Sequence, residues 1–369
     1  MANEKSAVLV AKNSTVKTSA VKIPVAKTPA AKTKIIWDVC GHELIKQFLI
    51  SSINSGRLFH AFLLVGKSHL GKYHLAQELA QTVLCQNETV KPCRKCANCQ
   101  IIAKESHPDV FLVKRLTDEK TGRPKKDISI EQIRELRAQL QKSSLFSGYK
   151  IAIIAKAQLI NLNGANSLLK ILEEPTPKTI IILIADDLRR LPKTVISRCQ
   201  VLRFLPVPQP TIEEYLLAKG SSPSQAKKIS LLSFNRPGRA RQLMAEPELL
   251  NEEAKENIFF WRALLTDSGE RLKLIDDWFG RGKDDNLNNF KINRLLDNWQ
   301  ALIRDLFLFK NDNSAYLAQA DNLPSLTEAA NHFDFKRLTQ AVKLIRQAKD
   351  YLRQNVNAKL VLENLIINL

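Results

Sequence analysis

Gly66-Lys67-Ser68-His69-Leu70-Gly71-Lys72-Tyr73 is the stretch on which the reading of this chain turns. It is the phosphate-binding pattern G-x-x-x-x-G-K, complete up to its lysine, after which a working loop carries Ser or Thr. The glycines let backbone amides approach phosphate, the lysine supplies charge, and the Ser or Thr hydroxyl holds Mg²⁺. Tyr73 carries its hydroxyl further out on a rigid ring and cannot take that coordination position. Gly66, Gly71 and Lys72 therefore mark a phosphate loop whose competence for ATP and Mg²⁺ is in doubt.

Working outward, Ala61–Val65 reads as a strand entering the loop, and a helix should follow with Leu75, Leu79 and Val83 on its apolar side. Further buried strands are expected at Val110–Val113, Ile151–Ile154, Ile180–Ile184 and Val201–Phe204. Helical patterns lie between them, notably Ile130–Leu140 and Asn166–Glu174, the latter stopped by Pro175. Strands alternating with helices predict an α/β domain with a parallel sheet covered on both faces. A nucleotide motor also needs acidic residues after a later strand, to hold Mg²⁺ and position water. After Ile151–Ile154 come Ala155 and Lys156 instead. With hydroxyl and carboxylates both missing, hydrolysis of ATP is not expected. Two readings of Lys72 stand side by side: it still binds a phosphate, or it is inherited architecture.

Cys85, Cys93, Cys96 and Cys99 form the sharpest metal signal. Two overlapping C-x-x-C steps aim three thiolates at one point, and Cys85 at the end of the preceding helix supplies a fourth. Four thiolates suit tetrahedral Zn²⁺, and with no open position the site is structural. Lys91, Arg94 and Lys95 lie close enough in sequence to offset its negative charge. His107 is read as a capping or core residue, and Cys199 as a small buried one.

The chain has 369 residues, room for two or three domains, and 44% apolar content, ordinary for a folded protein. Six cysteines, four of them clustered, point to metal rather than a disulfide framework. Net charge is +19, of which +6 lies in residues 1–34, where seven lysines face one glutamate. Lys12, Lys17, Lys22, Lys27 and Lys32 recur with a period that fits neither helix nor strand, and Pro24 and Pro29 interrupt both. Residues 1–34 are thus read as a disordered basic tail, either solubilising or touching nucleic acid non-specifically. The remaining +13 favours a polyanionic partner. No run approaches the roughly 18 apolar residues of a membrane span, and no apolar leader is seen, so the cytoplasm is the expected location. Pro206, Pro208 and Pro210 mark a domain boundary. The expected layout is an α/β domain over 35–206 with a cysteine module at 85–99, a small helical unit over 207–247, and a helical domain over 248–369 with Trp261, Trp278 and Trp299 in its core.

Taken in order, Gly66 to Lys72, the cysteine cluster, Ser106-His107-Pro108-Asp109, Leu168-Leu169-Lys170-Ile171-Leu172-Glu173-Glu174-Pro175 and Ser197-Arg198-Cys199 form a series. With them the chain resembles bacterial clamp-loader subunits of the AAA+ class, of the delta-prime type. The resemblance covers roughly residues 37 to 245 by motif and the remainder by helical character. It implies an AAA+ domain, a helical lid at 207–247 and a C-terminal oligomerisation domain at 248–369. The first gap in the cysteine cluster is seven residues where the family usually has eight, which a loop absorbs.

The resemblance also implies roles. Arg198, after a short helix starting near Pro192, would act in trans as an arginine finger on a neighbouring ATPase, stabilising charge on the γ-phosphate. A surface salt bridge is the plain alternative. Asp186 and Asp187 stand where active relatives place a hydroxyl that senses the γ-phosphate, and acidic residues there would repel phosphate. Arg236 or Arg239 stands where such relatives carry an ATP-sensing arginine, and a helix start preceded by a turn explains those residues equally well. Lys170 either pairs with Glu174 one turn on or touches a DNA phosphate. The implied partners are gamma/tau-type and delta-type subunits, the sliding clamp through the complex, and primer-template DNA. The implied function is a non-hydrolysing subunit of the DNA polymerase III holoenzyme, scaffolding the ring so that the clamp is loaded on primed DNA. The alternatives are an ATP-hydrolysing gamma/tau-type subunit, against which Tyr73, Ala155 and Lys156 speak, and a zinc-bearing nucleic-acid-binding module outside replication.

Overall fold

The computed structural model describes residues 33–118, 125–145, 148–266, 268–279, 289–313, 317, 323–354 and 356–369. Residues 1–32 of the expected basic tail lie outside the described residues. The chain divides into two compact units, one ending at Leu205 and one starting at Pro206.

In the first unit the strands are β1 (Lys34–Ile35), β2 (Ala61–Val65), β3 (Val90–Lys91), β4 (Val110–Val113), β5 (Lys150–Ile154), β6 (Thr179–Ala185) and β7 (Gln200–Arg203). The helices are α1 (Glu43–Asn54), α2 (Lys72–Leu84), α3 (Ala97–Ala103), α4 (Ile130–Gln141), α5 (Leu162–Glu173) and α6 (Lys193–Ile196). β4, β5, β6, β2 and β7, in that order, form one parallel sheet. This is the α/β architecture with a helix-covered parallel sheet expected from the sequence.

The central strands β2, β5 and β6 are buried along their whole length, which explains their unbroken apolar runs. Alternate residues serve opposite faces. Phe62, Leu64, Ile153 and Ile182 pack on one face with Leu49 of α1 and Leu75 and Leu79 of α2. Leu63, Ile154, Ile181 and Leu183 pack on the other with Ile133 and Leu136 of α4 and Leu168 and Leu172 of α5. α5 starts earlier than the expected Asn166, because the Asn161 side chain accepts a hydrogen bond from the Gly164 amide at 2.7 Å and caps the helix there. The small parallel sheet β1–β3 ties Lys34 and Ile35 to the segment entering the cysteine loop.

From β2 the chain crosses to the far edge strand β4, whereas from β6 it leads to β7 on the other side of β2. β2 and β6 therefore flank the point where the winding reverses. Crevices beyond the strand ends at such points are where ligands bind in open α/β sheets. The phosphate loop leaves β2 there.

The second unit is all helix: α7 (Gln209–Ala218), α8 (Pro223–Leu232), α9 (Pro237–Ala245), α10 (Glu248–Leu265), α11 (Ser268–Phe279), α12 (Asn289–Lys310), α13 (Leu323–His332), α14 (Phe335–Arg353) and α15 (Ala358–Asn368). Pro223 and Pro237 occupy the first helical turn, where a missing N–H costs nothing. Asp334 and Asn357 cap α14 and α15. Trp299 is fully buried, with ring centroids 5.3 Å from Phe260 and 5.7 Å from Phe259, and Trp261 is buried beside it. Trp278 stacks on Phe259 at 4.6 Å and is partly buried. No helix among the described residues is long and apolar enough to cross a membrane.

Trp299→Ala should lower unfolding free energy by about 3–5 kcal/mol, from lost burial plus the cavity left behind. The indole nitrogen has no hydrogen-bond partner among the described residues, so Trp299→Phe should cost distinctly less. Chemical denaturation of the three proteins checks this. Equal losses for Ala and Phe would contradict the packing account.

Candidate functional site

Gly66 lies at φ 153°, a region that favours glycine, and its amide donates to the Ala185 carbonyl at 3.2 Å. A Cβ there would sit 2.4 Å from the Phe204 carbonyl oxygen, so only glycine lets the loop pass between β6 and the end of β7. Gly71, at φ 87°, turns the chain into α2. His42, pushed down in pKa by burial, donates from Nε2 to the Leu70 carbonyl at 2.9 Å. The loop therefore has phosphate-loop geometry: strand, glycine-bounded turn and helix N-terminus.

Its side chains are arranged differently. Lys72 is buried, and its ammonium donates to the carbonyls of Gly66 and of Lys67 (2.8 Å) and to Asp186 Oδ1 at 2.9 Å. Burial lowers the Lys72 pKa, and the Asp186 carboxylate works against that. Asp186 is held in turn by Gln158, whose Nε2 donates to Oδ2 at 3.2 Å and whose Oε1 accepts from the Asp186 amide at 3.3 Å. Tyr73 donates its hydroxyl to Glu105 at 2.7 Å, tying α2 to the segment after α3. At the end of β5 the Ala155 amide is bound to the Val113 carbonyl at 2.9 Å, and Lys156 adopts a left-handed conformation at φ 56°. The Lys156 charge lowers the Lys72 pKa further. Neither a hydroxyl after the lysine nor a carboxylate after β5 faces the loop, so these residues do not fit a Mg²⁺ ion bound to nucleotide.

The four cysteines are brought together. Their sulfurs all lie within 4.8 Å of one another, Cys85 and Cys99 buried, Cys93 and Cys96 partly so. A tetrahedral thiolate site with metal–sulfur bonds of about 2.3 Å needs sulfurs roughly 3.8 Å apart, and this cluster is close to that. The Cys93 amide donates to Cys85 Sγ at 3.4 Å and the Cys96 amide to Cys93 Sγ at 3.3 Å, contacts that favour thiolate. The Cys93 thiol is drawn down to about 6 by the amides of Cys96 and Lys95. Burial pushes Cys99 up.

The short first gap closes through Asn87, whose Oδ1 accepts from the Thr89 amide and hydroxyl and the Val90 amide at 2.9–3.0 Å. Arg94, expected with Lys91 and Lys95 to offset the cluster's charge, has a carboxylate partner of its own. It pairs with buried Glu78 of α2 at 2.8 Å and locks the module to the sheet domain. A buried carboxylate is the stronger attraction for an arginine fork. His107 is buried, accepts from the Asp109 amide at 3.1 Å and stands outside the cluster. Cys199 is half-buried against the α4–α5 face of the sheet, also outside the cluster.

Arg198 follows α6 and precedes β7. Its Nη2 lies 2.7 Å from Glu173 Oε1 at the end of α5, and Nη1 donates to the Thr194 carbonyl at 3.0 Å. The pair is substantially solvent-exposed, with the Arg198 side chain 36% accessible. Residues 41–208 match the family described as DNA polymerase III, delta subunit, and residues 286–369 match DNA polymerase III, delta subunit, C terminal. The chain is 31% identical to DNA polymerase III subunit delta' of Bacillus subtilis (strain 168) over 328 residues, covering 88% of this chain and 95% of that protein. The chain belongs to the delta-prime family of DNA polymerase III subunits. Similarity to subunit delta' of Escherichia coli (strain K12) has the same extent, at 26% identity over 87% of this chain and 92% of that protein. Subunit tau of Bacillus subtilis is 31% identical, but over 45% of this chain and 28% of that protein.

Within this delta-prime chain, several motif residues have structural partners that sequence reasoning did not name. Asp109 is buried and accepts from the Ser144 hydroxyl and Leu145 amide at 3.0 Å, fixing the loop before β5. The partner of Arg198 is Glu173. Among the described residues no ion pair joins Lys170 to Glu174, and Lys170 is exposed on α5. Asp187 turns to Arg189 at 2.8 Å, which holds its carboxyl below the usual range. Arg239 is buried against Glu253 of α10 at 2.8 Å, and Arg236 lies 3.4 Å from Asp297 of α12. Both candidate sensing arginines thus bind carboxylates of the helices that follow. No spacing rule finds such pairs, because the partners are 14 to 61 residues apart.

Proposed function

We propose that this chain is the non-hydrolysing delta-prime-type subunit of a bacterial clamp loader, giving Arg198 in trans to the ATP site of a neighbouring gamma/tau-type subunit. The observation that carries the reading is where Arg198 sits relative to its own phosphate loop. β7 runs parallel to β2, with Gln200 opposite Phe62 and Arg203 opposite Val65. Arg198 therefore lies beyond the N-terminal end of β7, while the loop leaves the C-terminal end of β2. From the level of Gln200 to the start of the loop the sheet runs about 13 Å at roughly 3.3 Å per residue, and Arg198 precedes Gln200. An arginine there cannot reach its own loop, and its partly exposed pair with Glu173 can give way to a phosphate presented by another subunit.

On this reading residues 35–206 are the AAA+ domain, 207–247 its lid and 248–369 the oligomerisation domain, and the protein works in the cytoplasm with delta-type subunits, the sliding clamp and primer-template DNA. The basic body supplies charge for the duplex backbone. The four cysteines hold structural zinc, with Cys85, Cys93, Cys96 and Cys99 as its ligands. The ATP-hydrolysing gamma/tau-type alternative is disfavoured by Tyr73, Ala155 and Lys156, and by the short extent of the similarity to subunit tau.

The purified chain alone should show no ATP turnover above background. Turnover by the lone protein that disappears in Lys72→Ala would sink the non-hydrolysing reading.

A further inference from the structure

We propose that Asp186 is a tethered internal anion that takes the place of a nucleotide phosphate at Lys72 and keeps polyphosphate out of the loop. This deepens the reading of an inactive loop and rests on it. The three protons of the Lys72 ammonium are all engaged, by the carbonyls of Gly66 and Lys67 and by Asp186 Oδ1 at 2.9 Å. The side chain is only 5% exposed, so its charge needs a partner close by.

In a working site that partner is the phosphate itself, with Mg²⁺ and the carboxylates after β5 alongside. Here β5 is followed by Ala155 and Lys156, and the carboxylate comes instead from the residue after β6, the strand on the other side of β5 from β4. Gln158 grips Asp186 through both its carboxylate and its backbone amide, so the anion is built into the site rather than swinging from solvent. A polyphosphate would have to displace a held carboxylate of its own sign. Removing that one charge leaves the glycine-bounded turn, the α2 N-terminus and a buried, uncompensated lysine, which together favour an anion.

The test is Asp186→Asn, which preserves shape and the contact with Gln158. Binding of ATP, and separately of inorganic tripolyphosphate, is measured by calorimetry in EDTA on the full chain. The wild type should bind neither at millimolar concentration. Asp186→Asn should bind both at least about tenfold more tightly, and the double variant Lys72→Ala/Asp186→Asn should lose that gain. Equal affinities in wild type and Asp186→Asn, or a gain that survives Lys72→Ala, would overturn the proposal.

Should Asp186→Asn fold poorly, thermal stabilities of the single and double variants decide. If Asp186 is the counter-charge of Lys72, the second substitution costs much less once the first is made. Additive losses would overturn it. ATP binding by the wild type without turnover would end the tethered-anion proposal and leave the non-hydrolysing function standing. Turnover by the lone wild type would end that function directly.

Discussion

Arg198→Ala is expected to slow ATP hydrolysis at the adjoining site of the reconstituted loader by on the order of 10³-fold, with the subunit itself still folded. A guanidinium directed at the γ-phosphate neutralises charge that spreads over its oxygens in the transition state, and such residues contribute 10³–10⁵ where measured. Single-turnover hydrolysis in the complex with a gamma/tau-type ATPase isolates the chemical step. Arg198→Lys should recover little, because a point charge cannot reproduce the planar fork. The loss of stability should be small, since the pair with Glu173 is exposed and surface ion pairs contribute at most about 1 kcal/mol. Unchanged hydrolysis in the Arg198→Ala complex would refute the role in trans and leave Arg198 as half of a surface salt bridge.

Metal removal should have the second large effect. Carefully prepared protein is expected to carry about one zinc ion per chain, and Cys99→Ala to carry close to none. Four-thiolate sites bind with apparent free energies of about 10–16 kcal/mol in small zinc domains, which sets the upper scale of the loss. Cys99 is buried on α3 and its carbonyl accepts from Gln81 of α2 at 2.8 Å, so it joins the metal cluster to the helix contact between α3 and α2. Hydrogen exchange should show residues 85–103 losing protection on chelation. The amides of β2, β5 and β6 should stay protected, because those strands are buried by contacts on the two faces of the sheet. Metal content near zero in the wild type, or identical exchange with and without chelator, would remove the zinc assignment.

The central strands were legible because a strand buried on both faces is apolar over most of its length, and the edge strands β4 and β7 because each keeps a short run of apolar residues. The sequence-based bounds of Ala61–Val65 and Val110–Val113 coincide with the structure, Ile151–Ile154 differs by one residue at its start, and Ile180–Ile184 and Val201–Phe204 each differ by one residue at both ends. The start of α5 was harder to see, since it depends on a capping contact of Asn161 rather than on periodicity. The cysteine cluster was readable from spacing alone, because a tight loop can aim thiolates only over short sequence distances. What Arg94 does was not readable, since Glu78 lies a helix away.

The chain's family, its parallel-sheet class, its metal-type donor set and the missing Mg²⁺ ligands were determined by the sequence itself. Each rests on residue identities at short, fixed spacings, where chemistry and local backbone geometry leave few options. Only the tertiary structure decided that Tyr73 bonds Glu105, that Arg198 meets Glu173, that Arg236 and Arg239 face carboxylates of later helices, and that Lys72 already has an anion in Asp186. Those partners come from different strands and helices, and which charges meet depends on sheet order and helix packing. The phosphate loop's pattern was visible from its glycines and lysine, whereas its internal counter-charge required β2 and β6 to be neighbours.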